Sequence, residues 1–518
     1  MGLTIGQIFD LTVRKYPNKE ALYDVKTGKR QTYGGWAEEV NSLAHSFLAS
    51  GIQKGDRIST FLMNRGELAS VYFASAKVGA VFNPMNFRLT AEEIAYIIHD
   101  AEPKLVFFEK ETSAAIKDIR HRFPHTAFIY IDEDPSAFAE SYSTRIKVYH
   151  PEPIQVDVDE NDLYSIMYTS GTTGRPKGVM HTHRDMAEQS LLCIAATKLD
   201  EKDKGLITAP MFHCAELHCA FLPRVHAGAS NVVLHQFHPG QVLELIEREK
   251  ITTFFAAPAM WNMILQEDLN TYDVSSLRIS LYGAAPMPPA LVRSCREKIG
   301  AELVQAYGMT EMGPAITFLG NEDQLTKAGS AGQAALNHEI RIVRGREDSP
   351  SDPDEILSAF EPGEIIVKGP CIMKGYYRKE SLTEKALYKG WYHSGDIGYL
   401  DDEGYLYVKD RVDDMIISGG ENIYPREVED LLYEHEGVLE AAVIGEPNDR
   451  WGESVTAIIV KKDPGLTEED LDVFCRESNK LANYKRPRRY IFMDALPRNA
   501  SGKILKYQLR KETNPVNR

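Results

Sequence analysis

The sequence predicts an α/β protein: a large N-terminal domain of parallel α/β sheets carrying a β-rich subdomain, then a small α+β domain at the C-terminus. Three observations point there. Short apolar runs alternate with amphipathic helical patterns up to about residue 300, the rhythm of helices crossing over parallel strands. From about Gly320 the texture changes to short strands and turns. After residues 411–424 a separate alternation begins, in a tail of roughly 105 residues that is long enough for a domain. The expected division is 1–410 and 411–518, and 518 residues leave room for three or four compact units of ~100–200 residues.

The elements follow in order. A helix opens at Thr4 and stops at Pro17. Helices over 36–50 and 67–78 end at Gly51 and Gly79, residues suited to the left-handed turn that closes a helix. Strands are expected at 57–62, 104–108 and 127–131. A Pro- and acid-rich connector, 151–159, leads to an apolar strand at 163–168. Thr182-His183-Arg184-Asp185 has the form of a capping box for a helix over 186–197, which makes the context strand–loop–helix. Strands at 205–209, 230–234, 251–257 and 277–283 alternate with helices at 239–250 and 290–300. The β-rich part has strands at 340–343, 363–368 and 404–408, and the acidic, Pro/Ser-rich insert 347–353 reads as an exposed loop. In the tail come a helix at 425–435, a strand pair at 439–445 and 454–461, a helix capped from Thr467, and a strand at 489–493.

Bulk properties exclude some functions. With 75 Asp+Glu against 59 Lys+Arg the net charge is −16, which disfavours a general affinity for nucleic acid or anionic membrane. Six cysteines, Cys193, Cys214, Cys219, Cys295, Cys371 and Cys475, show neither CxxC nor a Cys/His ligand spacing, and read as buried thiols of a reducing compartment. The N-terminus lacks a secretory pattern, and no apolar stretch approaches the ~18 residues of a membrane helix. A cytoplasmic protein with no integral membrane segment is expected; a homodimer is left open.

Residues 168–178 read Tyr-Thr-Ser-Gly-Thr-Thr-Gly-Arg-Pro-Lys-Gly. Glycines let backbone N–H groups converge on one anion, hydroxyls add donors, and a lysine adds a mobile positive charge. That is the chemistry of a polyphosphate cradle. It is not a Walker A loop, because Gly171 and Gly174 are three apart and Lys177 is followed by glycine.

Five more motifs share the chain with this loop: Pro210-Met211-Phe212-His213; Gln305-Ala306-Tyr307-Gly308-Met309-Thr310-Glu311; Tyr392-His393-Ser394-Gly395-Asp396; the run from Asp410 to Pro425; and Pro497-Arg498-Asn499-Ala500-Ser501-Gly502-Lys503. In this order they resemble the adenylate-forming acyl-CoA synthetase superfamily, in its fatty-acid and aryl-acid CoA ligase branch, over roughly residues 5–509. The resemblance implies ATP, Mg²⁺ and coenzyme A as cofactor and co-substrates.

It also assigns roles. Thr169, Ser170, Gly171, Thr172, Thr173, Gly174 and Lys177 would grip the departing phosphates, and Gly283, Ala284 and Ala285 would pass beneath the nucleotide with Ala306, Gly308 and Met309 beside it. Tyr307 would stack on adenine, Thr310 would bond the α-phosphate, and Glu311 would hold Mg²⁺. Asp396, in a tight turn, would accept from both ribose hydroxyls, with Arg411 on the same ribose. Lys503, with Thr310 and His213, is the expected catalytic set, and Asp413 the hinge of the small domain. Ser418, Gly419 and Gly420 would flank the pantetheine passage, with Arg88, Trp451, Lys485 and Arg486 toward the nucleotide end of CoA.

Substrate expectations rest on departures from relatives. Amino-acid-activating relatives carry Asp where His213 stands, and malonate ligases carry arginine where Gln305 and Ala306 stand. Met211, His213, Met260, Trp261, Tyr282, Met309 and Met312 are the expected acyl pocket, and most are apolar. A small-molecule carboxylic acid with an apolar tail is expected, a medium- or long-chain fatty acid first and an aryl acid second. Alternatives are an acyl-AMP ligase that loads a carrier-protein thiol, and an inactive nucleotide-binding scaffold; the joint presence of Lys503, Glu311, Asp396 and Arg411 argues against the scaffold.

Overall fold

The computed structural model describes residues 2–133, 138–169, 176–285, 287–346, 349–411, 414–418, 421–448, 451–478, 480–498 and 504–513, with the backbone alone at 410, 411, 417, 421 and 422. Among the described residues two large sheets dominate. One has nine strands: Glu20–Asp24, Ser230–Val233, Lys204–Ile207, Thr253–Ala256, Ile279–Tyr282 and Glu302–Tyr307 run parallel, and antiparallel strands close both edges. The other has eight, with Leu163–Thr169, Val81–Pro84, Arg57–Phe61, Leu105–Phe108 and Ala127–Tyr130 parallel in that spatial order. Most positions in these strands are buried, as in parallel strands covered on both faces, and Leu105–Phe108 is wholly apolar.

Helices Ile5–Lys15, Tyr33–Ala49 and Gly66–Val78 lie in one apolar cluster that takes Leu22 and Val233 from the first sheet and Ile58, Phe82 and Tyr164 from the second. Phe9 stacks on Phe73 at 4.4 Å and meets Trp36 edge-on at 4.9 Å, and the Trp36 indole N–H donates to Ser70 Oγ at 3.0 Å. Burying each such ring is worth on the order of 2–3 kcal/mol. The expected capping boxes are formed at Thr182/Asp185 and Thr467/Asp470, and Gly79 closes its helix with φ +71°.

A third sheet, Glu339–Val343, Gly363–Lys368, Leu387–Tyr388, Trp391–Leu400 and Leu406–Arg411, forms the β-rich part. In the insert 347–353, expected to be exposed, Ser351 and Pro353 are buried while Asp352 turns outward to Lys389 at 2.9 Å. The C-terminal sheet pairs Val438–Asn448 with Gly452–Lys461 and adds Arg489–Met493 in parallel. Alternation sorts its faces. Ala441, Val443, Val455 and Ala457 pack under helices Pro425–Leu432 and Glu468–Glu477, and Ala442, Ile444 and Ile458 pack under Lys506–Thr513 through Leu509. Among the described residues no helix is long and apolar enough to cross a membrane, and the six cysteines are buried and free.

One local expectation is overturned. The loop after Leu163–Thr169 leads to a second strand, Lys177–Thr182, antiparallel to the first with Thr169 opposite Lys177; the helix His183–Thr197 comes only after it. The two ends of the expected cradle, Thr169 and Lys177, therefore face each other across an antiparallel pair. Gly178 permits it, since a Cβ there would lie 2.7 Å from Ile166.

Candidate active site

The hairpin holds Lys177 against a third strand. Gly375–Tyr376 adds antiparallel to Lys177–Thr182, with Tyr376 opposite Val179. Lys177 Nζ donates to the Tyr376 hydroxyl at 3.3 Å and lies 4.3 Å from its ring centre. The Tyr376 hydroxyl in turn donates to Glu311 Oε1 at 3.1 Å. Ser170, Gly171, Thr172, Thr173 and Gly174 lie outside the described residues.

Glu311 comes from the end of the neighbouring sheet. The strand Glu302–Tyr307 stops at Gly308, and a 3₁₀ turn, Thr310–Met312, follows. Gly283 lies against this strand: a Cβ on it would be 2.6 Å from Ala306 O, so only glycine permits the approach. Ala284 has φ +67° and is exposed; Ala285 is half-buried. The Tyr307 hydroxyl donates to Asp396 Oδ2 at 2.7 Å, and Tyr392 donates to Met309 Sδ at 3.2 Å. Asp396 lies within the strand Trp391–Leu400 and not in a turn; Gly395 with φ +69° supplies the kink, and the Asp396 N–H donates to Ser394 Oγ at 3.0 Å. Arg411 is its partner on the adjacent strand. Thr310 is buried, with Cys214 Sγ 3.2 Å from its hydroxyl and His181 Nε2 2.7 Å from its carbonyl oxygen.

Two sheet ends and a third sheet thus bring Lys177, Glu311, Tyr307 and Asp396 to one place. Residues 9–377 match the profile of the AMP-binding enzyme family and residues 427–503 that of the AMP-binding enzyme C-terminal domain. The chain belongs to the AMP-binding enzyme family.

This AMP-binding enzyme is 36% identical over 499 residues to a long-chain-fatty-acid–CoA ligase of Mycobacterium tuberculosis, covering 96% of each chain. It is 36% identical over 489 residues to a feruloyl-CoA synthase of Amycolatopsis, covering 93% of this chain and 94% of that one. Among solved structures, an anthranilate CoA ligase in complex with anthranoyl-AMP superposes with a TM-score of 0.91 at 26% identity, over 99% of this chain and 98% of the other. Its reaction class is that of an AMP-forming acid–thiol ligase, the acyl- and aryl-CoA ligase type.

The remaining expected positions divide. His213 caps a short helical turn by accepting from the Ala215 N–H at 3.2 Å, and the protein packed around the ring holds its pKa down to about 4. It is neutral at pH 7. Met260 and Met309 keep some exposed surface, whereas Met211, Trp261, Tyr282 and Met312 are packed into apolar clusters and offer none. Arg88 is exposed, its guanidinium 5.5 Å from Phe87, whose ring meets Phe212 edge-on. Lys485 pairs with Glu427 and Arg486 with Asp472; Trp451 is 49% exposed, and Ser418 Oγ donates to Glu453 O at 2.7 Å. Asp413, Gly419, Gly420 and Lys503 lie outside the described residues, as does the Arg411 side chain. The sequence reading missed Tyr376, Cys214 and His181. Tyr376 carries no local signal, because its partners are 199 and 65 residues away.

Proposed function

We propose that this enzyme is an ATP- and Mg²⁺-dependent acyl-CoA ligase for a carboxylic acid with an uncharged, apolar tail, a medium- or long-chain fatty acid first and an aryl acid second. The observation that carries the acid class is His213: an uncharged imidazole stands where amino-acid-activating relatives carry an aspartate to pair with the substrate ammonium, so no carboxylate is offered there to a cationic substrate. The fatty-acid and feruloyl specificities named for the relatives support the same range.

In the first half-reaction a carboxylate oxygen attacks the α-phosphorus of ATP, and the bond to the bridging oxygen breaks as pyrophosphate leaves. Thr169, the loop from Ser170 to Gly174, and Lys177 hold the leaving phosphates. Thr310 donates to the α-phosphoryl oxygen, where Lys503 adds positive charge; donors fixed at that point stabilise the transition state more than the ground state. Gly283, Ala284, Ala285, Ala306, Gly308 and Met309 line the nucleotide, Tyr307 lies against adenine, and Asp396 and Arg411 hold the ribose. Glu311 fits a hard cation: the residue is 7% exposed, and among the described residues the Tyr376 hydroxyl bonds one of its two carboxylate oxygens. Glu311 would hold Mg²⁺ there, and the ion would supply charge neutralisation to the phosphates.

In the second half-reaction the CoA sulfur attacks the carbonyl carbon, the thiol proton is lost, and the bond to AMP breaks. Rotation about Asp413 withdraws Lys503 and presents Ser418, Gly419 and Gly420. Arg88, Trp451, Lys485 and Arg486 are the candidates for CoA's nucleotide end; the last two must exchange carboxylate partners for phosphate.

The test is pyrophosphate release over a panel of carboxylic acids, with CoA or a holo carrier protein as acceptor. Saturated medium- and long-chain acids should give the highest rates and aryl acids the next. Amino acids and malonate should give none. Silence across the whole panel would defeat the proposal, and thioester on the carrier protein alone would move it to the acyl-AMP ligase reading.

A further inference from the structure

We infer that Tyr376 is a positioning residue whose hydroxyl keeps the Lys177 ammonium and the Glu311 carboxylate apart, so that one stays available to phosphate and the other to a cation. The inference rests on the roles proposed above for Lys177 and Glu311. The hydroxyl is bonded to both charges, at 3.3 Å and 3.1 Å. Without it a buried carboxylate and an ammonium on a flexible four-carbon stem would face each other across a small gap. Opposite charges in a partly buried setting close such gaps, and a closed pair neutralises both groups.

Tyr376 is built to stay in place. Its ring is 6% exposed, packed with Val179 and Met312. Its N–H donates to Thr383 Oγ1 at 2.9 Å, and the flanking backbone is tied to the hairpin by Lys374 N–H to Met180 O at 2.9 Å and Tyr377 N–H to Gly178 O at 2.7 Å. Gly375 has φ +138°, and a Cβ there would lie 2.6 Å from Thr383. The spacer is therefore rigid, while the lysine it restrains is not.

The decisive variant is Tyr376→Phe, read by calorimetric ATP binding against Mg²⁺ concentration. The Mg²⁺ needed for half-maximal binding should rise about tenfold or more, the loss expected for one hydrogen bond to a charged group. Adenylation should slow by a similar factor, while supplied acyl-adenylate is converted by CoA at the wild-type rate and the thermal midpoint is unchanged. In a Lys177→Gln background, where no ammonium competes for Glu311, adding Tyr376→Phe should change the Mg²⁺ requirement less than about twofold. A wild-type Mg²⁺ requirement in Tyr376→Phe would overturn the inference. So would equal losses in both half-reactions, a fall in thermal midpoint or a failure to fold, each of which would make the hydroxyl a structural one. Because ATP binding is read without acid or thiol, failure of the ligase reading shows separately, as a wild type that binds MgATP yet releases no pyrophosphate with any acid.

Discussion

Gly308 stands at the junction between the strand that ends in Tyr307 and the turn that carries Thr310 and Glu311, which makes Gly308→Ala a sharp test of the proposed site. A Cβ on Gly308 would lie 1.9 Å from Pro314 O and 2.9 Å from its carbonyl carbon. Both are backbone atoms, so no flexible side chain can yield. The residue also has φ +156°, a conformation close to glycine-only, worth about 1–3 kcal/mol of strain for alanine. Overpacking adds about 1–3 kcal/mol, so the segment must move, and it carries two of the proposed catalytic contacts with it. Displacing them should cost about 3 kcal/mol of transition-state stabilisation, roughly a hundredfold in rate. The assay is acid-dependent ATP–pyrophosphate exchange, with conversion of supplied acyl-adenylate as the internal reference. Gly300→Ala is the control: its φ is +79° but nothing lies within 4 Å of the new Cβ, so it should lower stability by about 1–2 kcal/mol and leave exchange intact. Wild-type exchange in Gly308→Ala, or equal effects of the two substitutions, would refute the reasoning.

Lys503→Ala should slow adenylate formation about a hundredfold or more and leave conversion of supplied adenylate near normal; equal losses would contradict its proposed role. Asp413→Pro fixes φ at the proposed hinge and should impair one half-reaction more than the other, as single-turnover rates of each step would show. His183 gives a pH prediction. Its ring is fully buried, accepts from the Ile5 N–H at 3.2 Å, and is held by burial at a pKa of about 4. An unfolded histidine titrates near ~6.5, so as pH falls below that value the unfolded chain takes up a proton the folded one refuses. Stability should fall between ~6.5 and 4 by an amount on the order of 3 kcal/mol and level off below. Urea unfolding should show a flatter slope in His183→Gln, and an unchanged slope would rule this account out.

Much of the fold was legible because its signals are local. Thr182 and Thr467 announce their helices through Asp185 and Asp470 three residues on, and Gly79 ends its helix where the sequence says it must. The strand Lys177–Thr182 was not legible. It carries polar His181 and Thr182, which are buried for reasons set elsewhere in the fold, such as the Thr310 carbonyl that His181 meets. The helix Lys506–Thr513 gives little apolar signal in the sequence, because only Leu509 and Thr513 are buried. In the site, motif residues could be named one by one, yet the bridge through Tyr376 joins three distant segments and only the folded chain reveals it. Trp261 and Tyr282 show the converse: an apolar side chain near a motif looks the same in sequence whether it lines a pocket or fills a core.

Asp396 and Arg411 face each other on the last rung of the third sheet, and the next described strand, Ile416–Ser418, already belongs to the C-terminal sheet. The rotation proposed about Asp413 would start from a point beyond that rung. On that proposal the two Cα positions assigned to the ribose would keep their spacing through both half-reactions. The sugar would then be the fixed axle of the proposed cycle: the enzyme would change its tools at one end of a molecule that it never has to set down and find again.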